Sequence, residues 1–337
     1  MAVARFGVLP DGSEVPEVAI SAGELTLKVI TLGAVIRDAR LAGVAFPLVL
    51  GFDRLDDYVH HSPHFGAVAG RYANRIAGGK LTIDGRTYSL PKNERGLNTL
   101  HGGPNGFGKL NWRLVAHDAK SVTLAITSRD GDEGFPGKVE ATVRYIVEAP
   151  ATIRMEAEAT TDAPTVVNLA QHSYFNLDGS PDILDHKVRI LADSYTPIDG
   201  NNIPTGEIRS VAGTPFDLRT PRAIRHVENG KRFVYDINYV TSMSKATSPR
   251  PQASLQSTKS GLRLDVASTE PGVQFYDGVS MHVTVPGLDG RTYPVNGGCC
   301  FEPQFFPDSP NKPNFPSPFL RPGETYRQTT LFAFSRG

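Results

Sequence analysis

Hydrophobic residues recur at every second position along much of the chain. Val122, Leu124 and Ile126 alternate with polar neighbours, as do Val139, Ala141, Val143, Tyr145 and Val147, and then Ile153, Met155 and Ala157. A period of two buries one side of a strand, so each set predicts a half-buried β-strand. Leu81-Thr82-Ile83 and Arg86-Thr87-Tyr88-Ser89-Leu90 flank Asp84-Gly85, and Asp-Gly supplies the positive φ angles that a two-residue hairpin turn requires. No long, well-capped segment carries apolar residues at i, i+3, i+4 and i+7. The pattern predicts an all-β chain, most economically a large antiparallel β-sandwich with a wide concave face.

Residues 241–254 (TSMSKATSPRPQAS) read as an exposed loop. Residues 307–322 carry six prolines between two strand-like stretches, which predicts a polyproline-like surface loop inside a domain rather than a linker. No repeat or break in composition divides the chain. Its 337 residues are read as a single domain spanning 1–337, a length that large β-sandwiches reach as one unit.

Charge narrows the partners. Lys+Arg and Asp+Glu number 35 each, without a basic or acidic block. Nucleic-acid binders and polybasic membrane-surface proteins need clustered positive charge, so a neutral small molecule is the expected partner. The two cysteines, Cys299 and Cys300, are adjacent. Adjacent residues rarely meet disulfide geometry, and two thiols make no metal framework, so both are expected reduced. Residues 1–11 show no basic start followed by an apolar stretch, and no run of about 18 apolar residues predicts a membrane helix. A cytoplasmic location is expected; a periplasmic one requires a leader already removed. The assembly expected is a monomer or small homodimer.

Two motif-like stretches lose their meaning in context. GPNGFGK at 103–109 matches a phosphate loop, but Leu110 replaces the magnesium-binding Ser/Thr, and neither a buried parallel strand nor a helix flanks it. His60, His61 and His64 sit around Ser62-Pro63 with no other ligand cluster near them in sequence, so a solvated loop rather than a metal site is expected. Polar residues inside strand-like segments are more informative. Alternation places His172 with Asn168 and Tyr174, opposite Val167, Leu169 and Phe175. It places Glu302 with Gln304, opposite Phe301 and Phe305, and Asp236 with Asn238, opposite Tyr235, Ile237 and Tyr239. Any one such face can simply meet water, but a carboxylate bordered by phenylalanines suggests a site.

Several segments resemble signature stretches of the aldose 1-epimerase (galactose mutarotase) family. GAVAGRYANRI at 66–76 is similar to its G-R-x-A-N-R-I, NTLHGG at 98–103 to its N-x-L-H-G-G, and GDEGFPG at 131–137 to its E-G-[YF]-P-G turn. NLAQHSYFNL at 168–177, TEPGVQFY at 269–276, and FEPQ at 301–304 followed by FPDSPNKPNF at 306–315 resemble three more, all in the family's order. The resemblance implies a mutarotase-type supersandwich with an open concave sugar-binding cleft, working without metal or other cofactor on a free monosaccharide. It implies Glu302 as base and His172 as acid, with His101 assisting catalysis. Arg71, Asp236, Asn74, Gln304 and Tyr174 would contact the substrate. Two positions depart from the pattern: Ile237 stands where many members have His, and Pro303 follows Glu302, where proline removes a backbone donor and often marks an edge or bulge.

Anomer exchange opens the hemiacetal, turns about C1–C2 and recloses it, which requires one proton removed at O1 and one delivered to the ring oxygen. The resemblance thus predicts Glu302 ionised and His172 protonated at rest, each favouring the other's charge. Rival readings are a sugar sensor on the same fold, a glycosidase pairing Glu302 with Asp236, and a sugar-phosphate mutarotase, for which no extra arginine cluster is evident.

Overall fold

Alternation in the sequence becomes alternation in space. The computed structural model describes residues 3–228 and 230–337; Met1 and Ala2, where the N-terminal segment read for a leader begins, and Asn229 lie outside them. Along the strand Val139–Glu148, the odd positions from Val139 to Val147 are buried while Glu140, Thr142 and Arg144 are exposed. It pairs antiparallel with Ser121–Ser128 and Thr152–Thr161 in unbroken register. These strands belong to a nine-stranded antiparallel sheet that continues through Tyr326–Arg336, Leu262–Ser268, Arg250–Gln256, Lys187–Ile190 and Arg222–Ala223, with Arg113–His117 at the other edge.

A six-stranded sheet runs in the order Tyr174–Phe175, Cys299–Gln304, Gly272–Tyr276, Asp236–Val240, Ser194–Tyr195 and Arg209–Ser210. Its Ile237, Phe275 and Phe301 join one apolar cluster with Val143, Met155, Leu264 and Phe332 of the larger sheet. Phe275 stacks on Phe301 at 5.2 Å. Each such side chain contributes about 1.5–3 kcal/mol when fully buried, so the apolar sides of both sheets are held together and the polar side of the six-stranded sheet is turned outward. A four-stranded meander, Ala4–Val8, Glu14–Ala22, Leu25–Ile30 and Val35–Leu41, adds Ile20, Leu25 and Leu27 to the same core. The architecture is the all-β antiparallel sandwich that the periodicity predicts. In the hairpin of Lys80–Ile83 with Arg86–Ser89, Asp84 and Gly85 have φ of 50° and 81°, as the Asp-Gly signal requires.

Three expectations need correction. Residues 165–175 do not form one strand. They make three short pairings, Thr165–Val166, Ala170–Gln171 and Tyr174–Phe175, each with a different partner, and every residue of the stretch is buried. A segment enclosed on all sides has no solvent face for alternation to reveal. The loop expected over 241–254 ends early, because the strand Arg250–Gln256 begins inside it and buries Ala253. The proline-rich stretch 307–322 is anchored rather than superficial: Phe315 packs edge-on against Phe306, and Phe319–Leu320 pairs with Thr165–Val166.

Candidate active site

The cleft lies on the outward side of the six-stranded sheet, where cross-strand pairing lines up polar residues. Asn238 stands opposite Gln274, and Gln274 opposite Glu302. Gln274 Nε2 donates to Asp236 Oδ1 at 2.6 Å, fixing that carboxylate at the cleft wall. Ile237 is in the core, so its departure from the family pattern leaves Asp236 in place. Pro303 pairs with Val273 without a register shift. On its other side Tyr174–Phe175 reaches only Cys300 and Cys299. Residues 301–304 therefore pair with no strand on that side among the described residues, and a missing N–H is tolerated there.

Glu302 is 2% exposed, and its Oε2 has no hydrogen-bond partner among the described residues. His172 Nε2 lies 3.6 Å away, too far for a direct hydrogen bond. Burial, then Asp236, pushes the Glu302 carboxyl up to about 8, with Arg75 opposing. Burial also lowers the His172 imidazole to about 4, against a smaller opposite effect of its own main chain. Burial thus outweighs mutual attraction, and both shifts favour a neutral acid beside a neutral imidazole. Both shifts run against the ion pair expected at rest, although the pair still holds one proton.

His101 stands at a φ of 51°, ahead of two glycines with positive φ. Its Nδ1 accepts the Asn74 backbone N–H at 3.1 Å, so in the neutral ring the hydrogen is on Nε2. Burial, then the neighbouring His64 and His172, holds His101 well below the usual histidine range. The ring is therefore a fixed neutral donor. Asn74 also lines the cleft, and its Oδ1 accepts the Arg75 N–H. Tyr174 stacks on His172 at 5.2 Å, with its hydroxyl committed to the Pro63 carbonyl.

Arg71 is not a cleft residue, contrary to the resemblance. Its guanidinium runs to the far side of the 102–107 loop, where it donates to the Pro136 and Gly137 carbonyls at 2.9 and 2.8 Å, to Ser128 Oγ and to the Arg129 carbonyl. Burial lowers it to about 10. Arg75, from the same GRYANRI stretch, does line the cleft, as does Arg95. The Nε of Arg75 donates to both Glu94 oxygens at 3.0 Å and its NH2 lies 3.5 Å from Asp236 Oδ2. Gln304 is also misplaced: it is fully buried opposite Gly272. Asn238 and Phe306 close over that end of the sheet, standing 2.6 and 2.8 Å from where a Gly272 β-carbon would be. Asn168 likewise leaves the cleft to His172, accepting the Phe305 N–H at 2.9 Å.

Sequence reasoning also missed His64. His60 and His61 end a seven-residue helix, Leu55–His61, and are exposed, but His64 turns into the cleft. Its ring lies 4.7 Å from that of His101 and 5.7 Å from that of His172. Its position directly before the FGAVAGR run was the available signal. Glu94, also at the cleft wall, carried none, whereas Tyr276 closes the TEPGVQFY stretch.

Ligand atoms of His101, His172 and Glu302 lie within 4.8 Å of one another. That spacing admits a metal, but the tautomer does not. A ligating histidine offers one bare nitrogen and donates from the other. In His101 the backbone amide of Asn74 occupies the acceptor, leaving Nε2–H toward the cleft. The donor set suits a hydroxylated ligand better than an ion.

A carboxyl and an imidazole converge in an open polar cleft of about 270 Å³, an arrangement suited to proton transfer on a bound small molecule. The family described as aldose 1-epimerase matches residues 16–333. Galactose mutarotase of Rattus norvegicus is 42% identical over 338 residues, covering 98% of this chain and 97% of its own. Aldose 1-epimerase of Escherichia coli (strain K12) is 39% identical over 320 residues, 91% of this chain and 92% of its own. The crystal structure of an aldose epimerase homologue from C. elegans superposes with a TM-score of 0.88 at 31% identity, covering 96% of this chain and 99% of that one. The chain belongs to the aldose 1-epimerase family and interconverts the anomers of an aldose.

Proposed function

We propose that the substrate is a free, unphosphorylated aldose, with Glu302 exchanging a proton at O1 and His172 at the ring oxygen. The observation that carries this is the 3.6 Å approach of His172 Nε2 to the unpartnered Glu302 Oε2. O1 and the ring oxygen are bonded to one carbon, so the two proton-transfer groups must converge on a single small volume. Sugar hydroxyls donating to Glu302 favour its ionised form and send the pair's proton to His172. Glu302 then takes the O1 proton as His172 protonates the ring oxygen, and closure on the opposite face of C1 reverses both transfers. His101 Nε2–H supplies a fixed hydrogen bond, while Arg75 and Asp236 orient ring hydroxyls.

The test is the optical rotation of freshly dissolved α-D-galactose, α-D-glucose and α-D-xylose with catalytic protein. Accelerated equilibration is expected with at least one, and the fastest ranks their preference. A rate equal to the uncatalysed one for all three rejects the proposal for these sugars.

Activity is expected only while the pair holds one proton. Below a pH of about 4 both groups are protonated and the base is lost; above about 8 neither is and the acid is lost. A kcat/KM profile should therefore be bell-shaped, with limbs belonging to the pair rather than to either residue. A profile flat from pH 4 to 9 contradicts this. Asp236→Asn removes a charge-assisted hydrogen bond and should raise KM about tenfold. It also removes a negative neighbour that raises Glu302, so the alkaline limb should move to lower pH.

A further inference from the structure

Arg75 stands on a short strand, Arg75–Ile76, whose pairing with Thr99–Leu100 sets it opposite Leu100. The chain enters that partner strand through a tight turn. Glu94 and Asn98 close the turn by exchanging backbone hydrogen bonds, Glu94 N–H to the Asn98 carbonyl at 3.1 Å and Asn98 N–H to the Glu94 carbonyl at 3.3 Å. Arg95 and Gly96, with φ of 53° and 69°, make the bend between them. The turn brings the Glu94 side chain beside Arg75. Its carboxylate takes the guanidinium side-on, with Nε 3.0 Å from both oxygens and NH2 2.8 Å from Oε1. Asn98 opens the NTLHGG stretch and has no part in the proton transfers. Its buried amide donates to Glu94 Oε2 at 3.3 Å and to the Asn201 carbonyl at 3.2 Å, while its Oδ1 accepts the Gly78 N–H at 3.2 Å.

We propose that Asn98 and Glu94 are positioning residues that hold Arg75 by one edge and so keep both Arg75 and Asp236 available to the sugar. The proposal rests on the reading of Arg75 and Asp236 as contacts to ring hydroxyls. Two carboxylates compete for this guanidinium. Glu94 binds it at 2.8 to 3.0 Å, whereas Asp236 Oδ2 stands off at 3.5 Å. A carboxylate bound through two nitrogens fixes the plane of a guanidinium as well as its place. Here it commits Nε and one side of NH2, and it leaves NH1 without a hydrogen bond among the described residues. NH1 is therefore the nitrogen kept for a hydroxyl. Freed from Glu94, the guanidinium would close on Asp236, joining the donor to the acceptor that the substrate needs. One substitution behind the cleft wall would then weaken two contacts to the sugar. Asn98 acts a step further back. It holds one Glu94 oxygen and, through the Asn201 carbonyl, the turn from which Asn202 lines the cleft.

The test is a set of double-mutant cycles. Glu94→Ala, Glu94→Gln and Asn98→Ala are made alone and together with Arg75→Ala, and polarimetry on the preferred sugar gives KM and kcat beside thermal melting. Glu94→Ala should raise KM about tenfold, the equivalent of one net hydrogen bond, with kcat within about threefold. Glu94→Gln keeps one acceptor for the guanidinium, and Asn98→Ala leaves Glu94 present but unheld, so each should raise KM about threefold. Added to Arg75→Ala, none of the three should change KM by more than about twofold, because the side chain they position is gone. A merely structural role would lower the melting temperature without making KM depend on Arg75 in this way. Should Glu94→Ala fail to fold, Glu94→Gln, which keeps the shape of the side chain, carries the test. Equal effects on KM with and without Arg75 overturn the proposal, as does an unaltered KM in both Glu94 variants where Arg75→Ala raises it. An unaltered KM in Arg75→Ala itself overturns the sugar contact beneath the proposal, and the proposal with it.

Discussion

Glu302→Gln is expected to lower kcat by about 10³, within the range for loss of one placed proton-transfer group, while leaving KM within about threefold. The amide keeps the shape of the carboxyl and can still hydrogen-bond a sugar hydroxyl, but it cannot take a proton from O1. Polarimetry with the preferred sugar measures the loss, and near-normal turnover would remove Glu302 from the base role. Melting supplies an independent check. The folded protein holds Glu302 protonated up to about 8, whereas the unfolded chain releases that proton near the ordinary 4.5. The stability contributed by the neutral carboxyl is therefore present below 4.5 and lost as pH rises through about 8. Glutamine cannot ionise. Wild type and variant should melt together at pH 4, and the variant should melt higher at pH 9.

Arg71→Ala is expected to destabilise the protein by about 3–5 kcal/mol, because it leaves the buried Pro136 and Gly137 carbonyls without their donor and also removes the bond to the Arg129 carbonyl. Such a loss shows directly in urea unfolding. Where the variant remains folded at low temperature, its KM should equal that of the wild type. Arg75→Ala, by contrast, should raise KM strongly, since Arg75 and its partner Glu94 both line the cleft. If Arg71→Ala raised KM without loss of stability, Arg71 would belong to the cleft.

These two arginines show where sequence stops being informative. Both occur in GRYANRI, four residues apart, and the motif does not tell which side chain meets sugar. Asn74, at a φ of 63°, turns the chain between them and sends the two in different directions. The strand segments were legible where one side was core and the other solvent, as along Val139–Glu148, because burial then writes itself as a period of two. Around His172 both sides are buried, so the pattern carried no face and hid the three short pairings. Glu302 and His172 were legible through family likeness and Glu302 also through its phenylalanine neighbours. Their protonation was not, because it depends on how completely a folded protein excludes water from each. His64 was visible as a residue but not as a cleft wall, since the turn that separates it from His60 and His61 is a tertiary feature.

The single proton shared by Glu302 and His172 has a consequence for the reaction as a cycle. On the proposed roles, opening the ring moves a proton from O1 to the glutamate and one from the histidine to the ring oxygen. Closure sends each back along its own path. The enzyme leaves its product in the state in which it met its substrate, with nothing to fetch from the bulk and nothing to discharge into it. It needs no recharging half-reaction, and its turnover should be indifferent to buffer concentration. Catalysis of this kind is bookkept entirely within the pair, and either anomer can begin it.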